Sequence, residues 1–317
     1  MISTKILQES MEVESLYLAR TVIVDFYMAG GSERSEGSEN IRAEGEGNDR
    51  GGARNDASTK VWARDDARPQ FSSGLDGGAG ICGVGPETSL LLINDGQELG
   101  RLGLVGILEE LDGRGCLNPL LCVGIHAGVA RKMEYGTAGR PGYQDWGSSA
   151  GAYSRFVLEE LIPAIRARFG VASFREKAFA GFSLGALSAM DIVWHHPQEF
   201  VVLGCFSGSL WWRTKDKSDP FYDEKRDRIV HDYVRKGGYF PWLKFFFECG
   251  TEDEQEDRNQ NGVIDSIDDT QDLIRELVRK GYDALKDIRY LEIKDGRHEV
   301  GTWAKAMPEF LLWGWGK

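Results

Sequence analysis

Gly181-Phe182-Ser183-Leu184-Gly185 has the spacing Gly-x-Ser-x-Gly. In that spacing a serine hydroxyl is raised on a sharp strand-to-helix turn, and the flanking glycines let two backbones approach. In a chain with 40 glycines the pattern arises readily by chance, so its surroundings must carry it. Ala178-Phe179-Ala180 reads as a short strand before the serine, and Leu184 to Met190 as a small-residue helix after it. A helix starting at Leu184 also turns unpaired N–H groups toward any oxyanion that develops there.

A serine hydroxyl attacks only when an imidazole removes its proton and a carboxylate fixes that imidazole's tautomer. On this kind of turn the chain order is serine, acid, histidine. Of five histidines, His195 and His196 lie at the end of the next helix, which leaves His231 and His298. His298, in the loop after the last strand, is the expected base. His231, mid-helix among charges, reads as a solvated surface residue. The acid is expected in Cys249-Gly250-Thr251-Glu252-Asp253, after the penultimate strand, with Asp253 preferred and Glu252 the nearest rival. His126, just past a strand, reads as a structural loop histidine near the active edge.

Residues 257–268 carry a second pattern. Oxygen side chains stand at positions 1, 3, 5, 9 and 12 (Asp257, Asn259, Asn261, Asp265, Asp268), with Gly262 at 6 and the Val263 carbonyl at 7. This is the spacing of a twelve-residue calcium loop. Aspartate at position 12 has a shorter reach than glutamate, and a strand rather than a helix enters the loop. The expectation is either a structural calcium ion or an acidic turn leading into a helix near Thr270. The serine chemistry itself requires no cofactor.

The elements that must position these groups alternate from Leu90 onward. Strands are expected at 90–94, 120–125, 178–180, 201–206, 243–249 and 288–293, with helices between them and a Trp-rich helix at the end. Two more strands are expected at 13–18 and 21–27. Continuously apolar strands separated by helices imply a mostly parallel central sheet with helices on both faces, and chemistry at the strands' carboxyl ends. The stretch 29–87 is poor in large apolar residues and reads as a flexible, low-complexity insertion. Its run Gly77 to Gly85 lacks the Lys-Ser/Thr ending of a phosphate loop and reads as linker. A mixed stretch at 207–242 reads as a cap-like insert in a single domain spanning 1–317. Trp211 and Trp212 within it would form an aromatic wall for a substrate ring or pack under the insert.

Composition narrows the partners. A formal net charge of -12 excludes the basic stripe that nucleic acid requires. No run approaches the ~20 apolar residues that span a bilayer. The N-terminus lacks a signal-peptide core, so a cytoplasmic protein acting on a small-molecule ester is expected. Five cysteines without a CxxC pair favour reduced thiols. Oligomeric state is not legible.

Taken together the motifs resemble the putative-esterase family of α/β-hydrolases, which holds enterochelin, feruloyl and acetyl-xylan esterases, S-formylglutathione hydrolases and mycolyltransferases. The resemblance spans about 88–315 plus the strand near 21–27. It rests on Gly181 to Gly185, Asn94-Asp95-Gly96-Gln97, Glu134-Tyr135-Gly136, Phe206 to Trp212, Cys249 to Asp253, and His298 with Trp303 and Pro308. It implies Ser183 as nucleophile, Asp253 as acid and His298 as base. The backbone N–H groups of Leu184 and Gln97 would be oxyanion donors, and Asp95 and Tyr135 would stand beside the pocket. The stretch 29–87 departs from the family's short connection, so the docking of the N-terminal strands is not carried over. Three activities fit these residues: ester hydrolysis through an acyl-enzyme, acyl transfer to a sugar or other alcohol, and ligand binding without catalysis.

Overall fold

The computed structural model describes residues 5–29 and 83–317. Most of the expected insertion at 29–87, most of its Gly-rich run and Cys82 lie outside the described residues. Among those described, one eight-stranded sheet organises the chain: β1 (Leu7–Ser15), β2 (Arg20–Ala29), β3 (Ser89–Asn94), β4 (Leu120–Ile125), β5 (Lys177–Phe182), β6 (Val202–Phe206), β7 (Lys244–Glu252) and β8 (Ile288–Arg297), in the order β1-β2-β4-β3-β5-β6-β7-β8. From β4 to β8 all pairs are parallel, while β2 runs antiparallel to both β4 and β1. This is the α/β-hydrolase fold.

The central strands are buried on both faces, which is why they read as unbroken apolar runs. Alternation along β3 sends Leu90 and Leu92 into one hydrophobic cluster and Leu91 and Ile93 into the other. The first cluster is covered by α2 (Ala150–Arg155), α3 (Ile162–Phe169) and α4 (Leu184–His195). The second is covered by α1 (Leu104–Gly113) and α7 (Val300–Trp315). Between α2 and α3 the backbone is π-wound over Phe156–Leu161, so residues 150–169 form a single rod with a wide turn in its middle.

The first hairpin differs from expectation. The leading strand begins at Leu7 and ends at Ser15, and Leu16 lies 71% exposed in the turn. Polar residues at Gln8, Glu9 and Ser10 hid it, because an edge strand shows one face to water. The stretch after β6 also differs. Its α5 (Ile229–Lys236) packs against α6 (Asp265–Lys280), and Arg228 pairs with Asp269 and Asp272 at 2.9 and 2.7 Å. His231 is therefore fully buried rather than solvated. Its Nε2 lies 2.8 Å from the Asp269 carbonyl, and burial pushes its pKa down to about 3. Cys122, Cys205 and Cys249 are buried free thiols, as expected, and Cys116 is free and half-buried.

The turn between β5 and α4 is a close backbone approach. A Cβ on Gly181 would fall 2.4 Å from the Gly185 carbonyl carbon. Gly181→Ala is expected to destabilise the protein by about 1–3 kcal/mol through overpacking, read as a lowered midpoint in urea unfolding.

Candidate active site

Ser183 occupies this turn with φ 56 and ψ -120, a conformation a non-glycine residue adopts only where its surroundings enforce it. Its N–H donates to the Phe206 carbonyl at 3.0 Å, and its carbonyl accepts from Ser209 N–H at 3.2 Å. The serine is thus stitched to the end of the neighbouring strand. Gly185 has no room for a side chain, since a Cβ there would lie 2.6 Å from Asp95 Oδ2. Leu184, the first residue of α4, has an N–H with no intrahelical acceptor. Gln97 lies in a single 3₁₀ turn directly after β3, and its side-chain Oε1 accepts from Ala127 N–H at 3.0 Å.

The carboxyl ends of β7 and β8 meet backbone to backbone, where their register slips between Gly250 and Glu252. A Cβ on Gly250 would fall 2.4 Å from the Gly296 carbonyl oxygen and 2.6 Å from Asp253 Oδ1. This contact brings Asp253 and His298 together with Ser183 around one cleft of about 320 Å³, walled by Trp146 and Trp211. On its other side Ser183 borders a second cleft of about 510 Å³, with Asp95, Arg131, His298 and Trp303. The rival acid, Glu252, is turned outward and pairs with Arg297 at 3.1 Å.

Ser183 Oγ lies 3.4 Å from Ser209 Oγ. Both Asp253 carboxylate oxygens are shut off from water without a hydrogen-bond partner among the described residues. Burial raises the Asp253 pKa, while Ser207, the Gly250 backbone and His298 oppose the rise. The His298 ring is open to solvent on one side and stands edge-on to Trp303 at 5.6 Å. Its pKa is held below the usual histidine value, first by desolvation within the cleft and also by the Arg131 cation, against the pull of Asp253.

Several expected contacts need correction. Tyr135 is fully buried and its hydroxyl accepts from Asp95 N–H at 3.3 Å, so it supports the loop rather than facing a substrate. Trp212 is also buried, donating from Nε1 to Thr137 at 3.0 Å, which leaves the half-buried Trp211 as the more accessible ring of the pair. Asp95 is near the cleft but clamped by Arg131 through two contacts of 2.6 and 2.7 Å. His126 pairs with Asp25 at 2.7 Å, in keeping with the structural reading given to it.

Sequence reasoning missed Arg131, Trp146, Ser207 and Glu248. The usable signal was position: Arg131 and Trp146 follow β4, and Ser207 follows β6, all at carboxyl ends of strands. In the 257–268 loop, Asn259 and Asn261 donate to Asp268 Oδ2 at 2.7 and 3.0 Å, and Asp257 accepts from Gly262 N–H at 2.8 Å. Asp265 is drawn off to Lys217 Nζ at 2.7 Å. No group of three or more His, Cys, Asp or Glu side chains is gathered as a metal site among the described residues. Nor is any helix among them long and apolar enough to cross a membrane.

The fold is that of the α/β-hydrolases. The chain belongs to the putative-esterase family, whose model matches residues 92–313. Among solved structures it is similar to the enterobactin esterase of Shigella flexneri crystallised with enterobactin (17% identity, TM-score 0.62, 96% of this chain and 58% of that one). It is similar too to an IroE-like serine hydrolase from Shewanella oneidensis (16%, 0.59, 97% and 79%) and to the siderophore hydrolase EstB from Aspergillus nidulans (14%, 0.56, 98% and 95%). The chain thus spans less than two thirds of the Shigella enzyme's length. No curated protein matches its sequence.

The depressed His298 pKa has a sign that can be checked. The imidazole stays neutral, and able to accept a proton, below the pH at which an ordinary histidine protonates. The acid limb of kcat/KM on a neutral ester is expected to bend below pH 6.5.

Proposed function

We propose that this chain is a serine carboxylic-ester hydrolase acting through an acyl-enzyme. The observation that carries the reading is the convergence of Ser183, Asp253 and His298 on one cleft, with Glu252 turned away. In this mechanism His298 takes the Ser183 proton as the hydroxyl attacks the ester carbonyl. Asp253 holds the imidazole's other nitrogen, and the N–H groups of Leu184 and Gln97 receive the oxyanion. His298 then protonates the departing alcohol, and the same cycle run with water releases the acid. Apo hydrogen bonds in such sites are commonly long and close on substrate binding, which accommodates Ser183 Oγ resting toward Ser209. The solvent-open face of His298 gives water access to the acyl-enzyme, which supports hydrolysis over transfer to another alcohol.

The substrate is a small ester with an aromatic or sugar ring laid against Trp146 and Trp211, whose rings stand 6.4 Å apart edge-on. A further cavity of about 310 Å³ continues past Trp211 and Glu254 to Arg213 and Lys217, giving room for a larger alcohol. Calcium enters the proposal only as a structural ion for the 257–268 loop. It rests on the spacing and on Asn259, Asn261 and Asp268 converging there, with no part in the chemistry.

Ser183→Ala is expected to lower kcat on p-nitrophenyl esters at least about a thousand-fold and to abolish labelling by a fluorophosphonate. Equal rates for mutant and parent would sink the reading. Calcium is expected to raise the melting temperature and leave kcat nearly unchanged. Calorimetry showing no heat, with an unmoved melt, would remove the ion.

A further inference from the structure

Glu248 is a carboxyl that the mechanism does not use, yet it lies directly behind the proposed acid. It sits on β7, five residues before Asp253, and is 1% exposed. Its Oε1 has no hydrogen-bond partner among the described residues, and its Oε2 stands 3.5 Å from Ser207 Oγ. Ser207 is a fixed hub. It is held at φ 43, its N–H donates to the Glu248 carbonyl at 2.8 Å, and its Oγ accepts from Trp303 Nε1 at 2.9 Å. With that lone pair taken, Ser207 has one proton to give; it rests toward Glu248 Oε2, while Asp253, which lines the same cleft with both oxygens unpartnered, is the second carboxyl it can turn to.

Two unshielded carboxylates at such a site repel strongly, and the arrangement is relieved when one of them keeps its proton. Glu248 is the deeper of the two. Asp253 faces His298, whose cation in the transition state needs a negative partner. We propose that Glu248 is a positioning residue for Asp253: as a neutral carboxylic acid it leaves the Ser207 hydroxyl proton to Asp253, which keeps Asp253 ionised and oriented toward His298. The proposal rests on the triad reading above. Burial, and then the Asp253 charge, push the Glu248 pKa up to about 8. The other titratable groups it acts on are Cys205 on β6 and Cys249 beside it in the chain, both held as neutral thiols by burial. When Glu248 ionises, the Ser207 proton stays with it and is withheld from Asp253.

The test is the pH profile of kcat/KM on a p-nitrophenyl ester for the parent, Glu248→Gln and Ser207→Ala. The amide keeps the shape and neutrality of the protonated acid but cannot ionise. The parent is expected to lose activity through an alkaline step near pH 8. Glu248→Gln is expected to remain within about threefold of the parent at pH 7 and to lack that step. Ser207→Ala is expected to lower kcat more than tenfold at every pH with KM little changed. Superimposable profiles for parent and Glu248→Gln, or a kcat loss in Glu248→Gln as large at pH 6 as at pH 9, would overturn the proposal. Ser183→Ala, run alongside, separates the two readings. Its inactivity together with an unmoved Glu248→Gln profile refutes only the role of Glu248, whereas its full activity refutes the triad.

Discussion

Everything at the catalytic edge depends on one backbone crossing, where β5 turns into α4 with Gly181 and Gly185 in contact and Ser183 at positive φ between them. A side chain on either glycine would pry the turn apart, and the serine would drop back among the strand residues. The left-handed conformation costs about 1–3 kcal/mol and is held by hydrogen bonds to Phe206 and Ser209 on the next strand's end. Four of the seven positive-φ non-glycine residues among those described, Asp95, Ser183, Ser207 and Asp295, follow or end strands along this same edge. Strain is thus concentrated where the chemistry is proposed, and the apolar core beneath supplies the stability that tolerates it.

Electrostatics at the edge are arranged in depth. Asp95 is neutralised by Arg131, which leaves that cation's field to act on His298 from one side while Asp253 acts from the other. Glu252 is spent on Arg297 at the surface. Carboxylates are abundant in this acidic chain, but among those after β7 only Asp253 is both sheltered from water and close to the imidazole. Burial, rather than residue type, distinguishes it.

Much of the fold was legible because interior strands advertise themselves as continuous apolar runs: Leu90 to Ile93, Leu120 to Ile125 and Phe245 to Phe247 could be read directly. The edge strand from Leu7 was not, since half its residues face water and alternate with few apolar partners. That Ser183, Asp253 and His298 meet at one cleft was legible through chain order combined with strand ends, a local signal. Arg131, Ser207 and Glu248 were not, because their significance arises from pairing across the sheet, which no spacing within one segment encodes. His231, Tyr135 and Trp212 show the converse error. A charged or aromatic neighbourhood in sequence says little about which face a neighbouring helix will cover, as α6 covers α5 here.

The contact between Gly250 and Gly296 joins the ends of two paired strands at positions 46 apart in the chain, through their main chains rather than through side chains that could swivel. Such a joint leaves little freedom between the segment bearing Asp253 and the segment bearing His298, since each continues directly from one of these strand ends. In the proposed mechanism the acid and the base are thereby preassembled: the separation of their two strand ends is set by the sheet before any ester arrives.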